Sequence, residues 1–178
     1  MEVIPTELPG LYIIRPRIFA DARGSLVKTF HAGRFCELGL NFEPREEFFS
    51  TSSKNVLRGM HFQLPPAAHT KLVYCITGRV LDVVLDLRKD FPTFGRSHAR
   101  ELNTAGHEIF FIPAGFAHGF LALEDNATMV YQTSTVHSPA HDAGVRWDSF
   151  GFDWPVKSPI VSERDKKFPA LRDFSSPF

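Results

Sequence analysis

The sequence predicts an all-β fold, a sandwich or barrel of short strands. Residues alternate with period two across Arg79–Leu87, where Val80, Asp82, Val84 and Asp86 share one face and Leu81, Val83, Leu85 and Leu87 the other. That pattern reads as a half-buried strand. Turn-forming residues recur at a spacing of about 8–12 residues, as in sandwiches and barrels. Helical periodicity is scarce.

The elements follow in order. Leu11–Ile14 is an apolar run closed by Pro16. His31–Leu38 predicts one or two helical turns, stopped by Gly39. Lys71–Thr77 is a strand, and Gly78 turns it into the strand beginning at Arg79. Further strands are expected at 97–102, 108–112, 117–123 and 127–135. Pro92, Gly95, Gly106, Pro113-Ala114-Gly115 and Glu124-Asp125-Asn126 supply the breaks. After Pro139 the turn-rich Trp147-Asp148, Asp153-Trp154-Pro155 and Ser158-Pro159 predict an irregular C-terminal arm.

The 178 residues fit one domain, 1–178, since a typical domain runs roughly 100–200 residues. Lys plus Arg is 20 and Asp plus Glu is 20. Zero net charge argues against a general nucleic-acid binder. Cys36 and Cys75 form no C-x-x-C and no disulfide framework, as expected of reduced thiols in the cytoplasm. Met1–Gly10 has no apolar signal-peptide core, and no apolar run approaches the ~18 residues of a membrane span. Neither export nor membrane association is expected.

The chemistry concentrates in two stretches. Gly106–His118 reads G-x6-P-x-G-x-x-H through Pro113, Gly115 and His118. It resembles the second motif of the cupin superfamily, which implies a jelly-roll β-barrel with His118 pointing inward. The first cupin motif calls for H-x-H, a Glu, and a Gly seven residues later. Here Gln63 stands where the second His belongs, and seven back from Gly78 lies Lys71. An ammonium offers a metal no lone pair. Because a metal site normally needs at least three protein ligands, a metal is not expected. A cationic pocket of His61, Lys71 and His118 remains, with Arg58 on the strand that carries His61. It suits an anionic ligand with a carbonyl: Arg and Lys take phosphate oxygens, a His takes a proton, and a Lys steadies the oxyanion.

The runs Val56-Leu57-Arg58-Gly59-Met60-His61-Phe62-Gln63, Pro65-Pro66 and Lys71-Leu72-Val73 are similar to the dTDP-4-dehydrorhamnose 3,5-epimerase family. So are Asp82–Arg88, Phe91-Pro92-Thr93-Phe94-Gly95 and Ile112–Phe120. Asp21-Ala22-Arg23-Gly24 and Asp153-Trp154-Pro155 also fit. The resemblance spans roughly residues 10–166. It implies a cupin-type jelly-roll β-barrel with short helices and an irregular C-terminal arm. It also implies a homodimer, no metal or organic cofactor, and a nucleotide-diphosphate sugar as substrate. It assigns His61 as general base, Asp165 as its carboxylate partner, Tyr131 as general acid and Lys71 to the C4 oxygen. Arg23 and Arg58 match diphosphate contacts and His118 a sugar-pocket residue. Gln63 and Arg164 belong to the same substrate-binding set. Tyr131 is one of only 3 tyrosines, against 18 phenylalanines, which makes a merely structural hydroxyl less expected.

The chain departs from the family at several positions. Lys28 replaces a Glu that helps hold thymine, and Glu46 and Phe48 replace a Gln and an Asn. A Lys and a Glu match the N3 acceptor and the N4 donor of cytosine, so CDP competes with dTDP as the nucleotide, with GDP also open. His137 stands where a Tyr is common, and Tyr74 where many members have Arg, one pocket cation fewer. The reaction expected is epimerisation at C3, C5 or both of a 4-keto-6-deoxy or 3,6-dideoxy sugar. The rivals are a non-catalytic sugar-nucleotide-binding cupin and a metal-dependent cupin oxygenase, the latter disfavoured by Gln63 and Lys71.

Overall fold

The computed structural model describes residues 1–178. The chain runs β1 (Glu2–Pro5), β2 (Tyr12–Arg15), β3 (Ile18–Asp21), β4 (Gly24–Val27), α1 (Ala32–Glu37), β5 (Glu46–Ser52), β6 (Leu57–Gln63) and β7 (Lys71–Thr77). It continues through β8 (Arg79–Asp86), β9 (Ser97–Asn103), β10 (Ile109–Ile112), β11 (Phe116–Ala122), β12 (Ala127–Thr133), β13 (Asp142–Gly144) and α2 (Glu163–Lys166). A six-stranded sheet has the order β1-β2-β10-β7-β12-β5, and a five-stranded sheet the order β13-β6-β11-β8-β9. Every pairing between these strands is antiparallel. This is the cupin-type jelly roll, with the two sheets left unjoined at their edges.

The main core lies between the sheets. Ile13, Val73, Phe110, Met129 and Tyr131 of one sheet meet Val80, Val84, Leu102, Phe116 and Phe120 of the other. Burying each such side chain stabilises by about 1.5–3 kcal/mol relative to exposure. A second cluster covers the outer face of the five-stranded sheet. There Val83, Leu85 and Leu87 pack under Trp154 and neighbouring rings of the C-terminal arm. The reading of β8 as half-buried is thereby corrected: both its faces are covered, because the arm supplies the second layer. A third cluster sits outside the six-stranded sheet, where Phe35 of α1 packs with Ile14, Leu72 and Phe111.

The short helix forms as the sequence implies. His31 caps it by accepting the Arg34 N–H at 3.2 Å, and Gly39, at φ +72°, ends it. β1, β5 and β13 and the β3–β4 hairpin are additional to the expected strands. β5 reads Glu-Glu-Phe-Phe-Ser-Thr-Ser, without apolar alternation, because it is an edge strand with Phe49 70% exposed. No helix is long and apolar enough to cross a membrane.

One close approach shapes the site. Gly59 sits at φ +141°, and a Cβ there would lie 2.5 Å from the Cα of Gly119. β6 and β11 can touch only because both residues are glycine. The pairing register shifts between His118 and Phe120, and His118 comes opposite His61. Arg58 and His61 are three residues apart, so a regular strand would send them to opposite faces. With this irregularity both reach the same cavity.

Candidate active site

The cavity opens between the sheets and has a volume of about 280 Å³. His61, Lys71, Tyr131, Arg58, Gln63, His118, Glu46, His137 and Arg164 all border it. Asp165 lies directly behind His61. Of the expected residues, only Arg23 and Lys28 lie elsewhere.

His61 Nε2 is 2.9 Å from Asp165 Oδ1. Asp165 is fixed from several sides. Its Oδ2 accepts the Gly59 N–H at 3.1 Å, and its own N–H is capped by Ser162 Oγ at 3.1 Å, where α2 begins. Burial pushes its carboxyl upward, but the His61 contact, the Gly59 N–H and the Ser162 hydroxyl prevail and hold it at about 2. Burial lowers the His61 pKa below its ordinary value, outweighing the upward pull of Asp165, so the ring is neutral at pH 7. A carboxylate acceptor on Nε2 fixes the tautomer and leaves Nδ1 with the lone pair. Phe168 packs edge-on against the ring at 5.7 Å between centroids.

Lys71 is buried at the base of β7, and its Nζ donates to the His61 carbonyl at 3.1 Å. Burial brings its pKa down to about 8, against upward pulls from Asp142 and Asp82. It is therefore charged at neutral pH with donors to spare. Tyr131 is 8% exposed and stacks on Phe48 at 4.8 Å. Burial raises its pKa, so the phenol keeps its proton. Its hydroxyl lies 3.3 Å from Ser50 Oγ. His118 forms a sealed pair with Asp82, Nε2 to Oδ2, at 2.8 Å. Arg58 reaches Ser52 Oγ at 3.0 Å and the Thr51 carbonyl at 3.3 Å.

The remaining expected residues hold varied positions. The Gln63 amide nitrogen donates to the Ala67 carbonyl at 2.8 Å, and its oxygen accepts the Ser138 N–H at 2.6 Å. It therefore pins two wall loops together. Glu46 Oε2 accepts the His137 N–H at 2.7 Å. Arg164 spans Asp142, at 2.6 Å, and Asp165, at 3.2 Å, beside His61. Arg23 lies at the tip of the β3–β4 hairpin, paired with Asp21 at 2.5 Å. Lys28 lines a separate depression with Arg17, His31 and Arg34. Within one chain, then, Lys28 and Glu46 do not form a common base-recognition pair. Tyr74 is also corrected: it faces the outer cluster and meets Thr29, so the Arg-to-Tyr change removes no cation from this cavity.

Sequence reasoning missed Asp142, Asp82, His69 and Ser50. Asp82 had a signal, since a carboxylate shares a strand face with Val80 and Val84 and needs an inward partner. His69 lines the cavity with Nδ1 3.2 Å from the Gln63 amide nitrogen, and burial, then Lys71, depress its pKa to about 3. No three His, Cys, Asp or Glu side chains are grouped so as to hold a metal ion. The arrangement can remove a proton at His61, deliver one from Tyr131, and stabilise an oxyanion at Lys71.

Comparison with known proteins places this geometry. The family model for dTDP-4-dehydrorhamnose 3,5-epimerase matches residues 5–173. The dTDP-4-dehydrorhamnose 3,5-epimerase of Shigella flexneri is 41% identical over 168 residues, 93% of each chain. The dTDP-6-deoxy-D-glucose-3,5-epimerase of Legionella pneumophila, solved with dTDP-4-keto-L-rhamnose, superposes with a TM-score of 0.93 at 33% identity, covering 98% of this chain and 94% of its own. ChmJ of Streptomyces bikiniensis, a 3'-monoepimerase solved with dTDP-quinovose, gives a TM-score of 0.89 at 32% identity, covering 95% and 87%. The chain belongs to the dTDP-4-dehydrorhamnose 3,5-epimerase family.

Proposed function

We propose that this protein is an isomerase that inverts C3, C5 or both of a nucleotide-diphospho-4-keto-6-deoxyhexose in deoxysugar biosynthesis. The observation that carries the proposal is the convergence of a neutral His61, a charged Lys71 and a protonated Tyr131 on one cavity. The 4-keto group acidifies the protons on C3 and C5. His61 removes one, and the charge moves to O4, where Lys71 stabilises the enolate. Tyr131 returns a proton from the opposite face. One oxyanion donor is worth about 2.7–4 kcal/mol.

The nucleotide we assign is dTDP. It is the one in the relatives' names. Equilibrium binding of dTDP against CDP tests this, and a preference for CDP would reverse the assignment. The cavity falls just below the roughly 300–1,000 Å³ that encloses a drug-sized ligand, so it suits the sugar rather than the whole nucleotide.

A homodimer supplies the rest. The β3–β4 hairpin stands as a separate two-stranded sheet, with Ile18, Phe19 and Leu26 each about half exposed. Such a hairpin is marginal without cover. Docked on a second copy, it would carry Arg23 and Lys28 toward that copy's nucleotide. We assign the enzyme to the cytoplasm, where reduced Cys36 and Cys75 are at home.

The decisive experiment is incubation in D2O with dTDP-4-keto-6-deoxyglucose, followed by NMR. Deuterium at C3, C5 or both is expected and names the carbon. No uptake from the dTDP- or the CDP-linked sugar would refute the enzyme reading in favour of a binding protein.

A further inference from the structure

A general acid must be aimed as well as protonated, because proton transfer needs hydrogen-bond reach to the accepting atom. A displacement of about 1 Å at such a group can cost on the order of a hundredfold in rate. What aims the Tyr131 phenol therefore matters to the reaction.

Its polar tether is weak. The hydroxyl has one hydrogen-bond partner, Ser50 Oγ at 3.3 Å. That is longer than the roughly 2.5–3.0 Å of a well-formed O–H···O bond. The ring is held more closely. His118 meets it edge-on at 6.1 Å and 67°, and His118 is itself locked to both oxygens of Asp82 at 2.9 and 2.8 Å. Phe48 stands directly opposite Tyr131 in the β5–β12 ladder, and the two rings stack 4.8 Å apart at 12°. Glu46, Phe48 and Ser50 alternate along β5 and all line the cavity. Phe48 remains 46% exposed, whereas Tyr131 is 8% exposed. Phe48 thus hides little of its own surface, and its one aromatic partner is the phenol.

We propose that Phe48 is a positioning residue for the general acid: its ring is the platform that keeps the Tyr131 phenol aimed at the carbon to be reprotonated. The inference rests on the epimerase reading. Once His61 has taken the proton, the enolate has two exits. His61 returns the same proton to the same face, which restores substrate. Alternatively Tyr131 gives its own proton to the opposite face, which leaves inverted product, a phenolate and a protonated His61. One proton leaves carbon and one arrives, and water resets both groups once product has left. Without the platform the phenol loses its aim, delivery slows, and the return by His61 gains.

The test measures kcat, KM and two isotope effects on inversion of dTDP-4-keto-6-deoxyglucose, in wild type, Phe48→Ala and Phe48→Leu. Deuterium at the reacting carbon reports abstraction by His61, and D2O as solvent reports delivery from Tyr131. Phe48→Ala should lower kcat by about tenfold to a hundredfold, with KM within about threefold of wild type. Its solvent isotope effect should rise and its substrate isotope effect should shrink, because abstraction becomes reversible ahead of a slow delivery. Phe48→Leu keeps apolar bulk on the strand without a flat ring, and should shift both isotope effects in the same directions. A fall in kcat with both isotope effects unmoved overturns the platform, since Phe48 would then support the site as a whole. A rise in KM alone overturns it in favour of a wall for the substrate. Wild-type behaviour in Phe48→Leu also overturns it, because bulk and not the stacked ring would hold Tyr131. Wild type that inverts neither the dTDP- nor the CDP-linked sugar overturns the epimerase reading and this inference together.

Discussion

Two imidazole–carboxylate pairs flank one cavity with nearly equal contacts, 2.9 Å for His61–Asp165 and 2.8 Å for His118–Asp82. Their surroundings differ. His118 and Asp82 come from paired strands, one diagonal step apart, and their side chains are only 4% and 0% exposed. His61 keeps 25% exposure, and its carboxylate arrives from α2 at the far end of the chain. The same two residue types are thus built once closed to solvent and once open to it. Both histidines border the cavity, and exposure, rather than the hydrogen bond, separates the two pairs.

The largest expected effect breaks the accessible pair. His61→Asn should lower deuterium exchange by at least about a thousandfold, within the span of general-base catalysis, while calorimetry shows sugar-nucleotide binding near wild type. Retained exchange would remove His61 as base. Next is the sealed pair. Asp82→Ala leaves His118 buried without its partner and should cost about 3 kcal/mol, read as a fall in the urea midpoint at unchanged m-value. If Asp82→Ala instead left stability intact and abolished exchange, the contrast between the pairs would fail.

Asp165 belongs to both columns. Asp165→Asn should slow exchange by about a hundredfold, since it frees the His61 tautomer. It should also remove a pH-dependent stabilisation. The folded carboxyl sits at about 2, below its ordinary 3.8. The contribution, about 2 kcal/mol, is fully present above pH 4 and vanishes as pH falls through 2. An acid-denaturation midpoint unmoved by the substitution would refute the linkage.

Much of this was legible in the chain, and the exceptions have physical causes. The alternation in β8 and the glycine and proline punctuation located β7–β12; β8 alternates although both its faces are covered, because its polar positions Asp82 and Asp86 are carboxylates paired with His118 and Arg88. β5 escaped because an edge strand with exposed Phe49 need not alternate. The burial of the second face of β8 depends on the distant C-terminal arm, which no local pattern encodes. Motif spacing marked His61, Lys71 and His118. Asp142 and Ser50 gave no signal, since their significance is proximity to Lys71 and Tyr131 in space.

Lys71 lies between the two pairs and connects them. In the proposed mechanism it must be charged to hold the enolate, and His61 must be neutral to take a proton. Activity should therefore rise with pH through the lowered His61 pKa, hold through neutrality, and fall about tenfold per pH unit above roughly 8. Asp142 exerts the largest upward pull on Lys71, so Asp142→Asn should move the alkaline limb below pH 8. A limb that stayed in place would show that Asp82, from the sealed pair, sets the charge of Lys71.

The smallest expected effect concerns Arg164, which only the accessible pair has beside it. Its Nη2 lies 2.9 Å from His61 Nε2, the nitrogen that also faces Asp165. One nitrogen cannot serve both. Arginine only donates and would need a lone pair on Nε2, whereas a carboxylate only accepts and needs Nε2–H. Asp165 is buried and anchored by the Gly59 N–H, whereas the Arg164 side chain is 52% exposed and already engaged by Asp142. The buried partner should prevail, because an exposed charge is screened. Arg164→Gln should then change kcat by less than about threefold, with its main effect on KM through loss of positive charge at the mouth. A large fall in kcat with a displaced acid limb would mean that Arg164 fixes the tautomer, and that the accessible pair is a triad tuned from solvent.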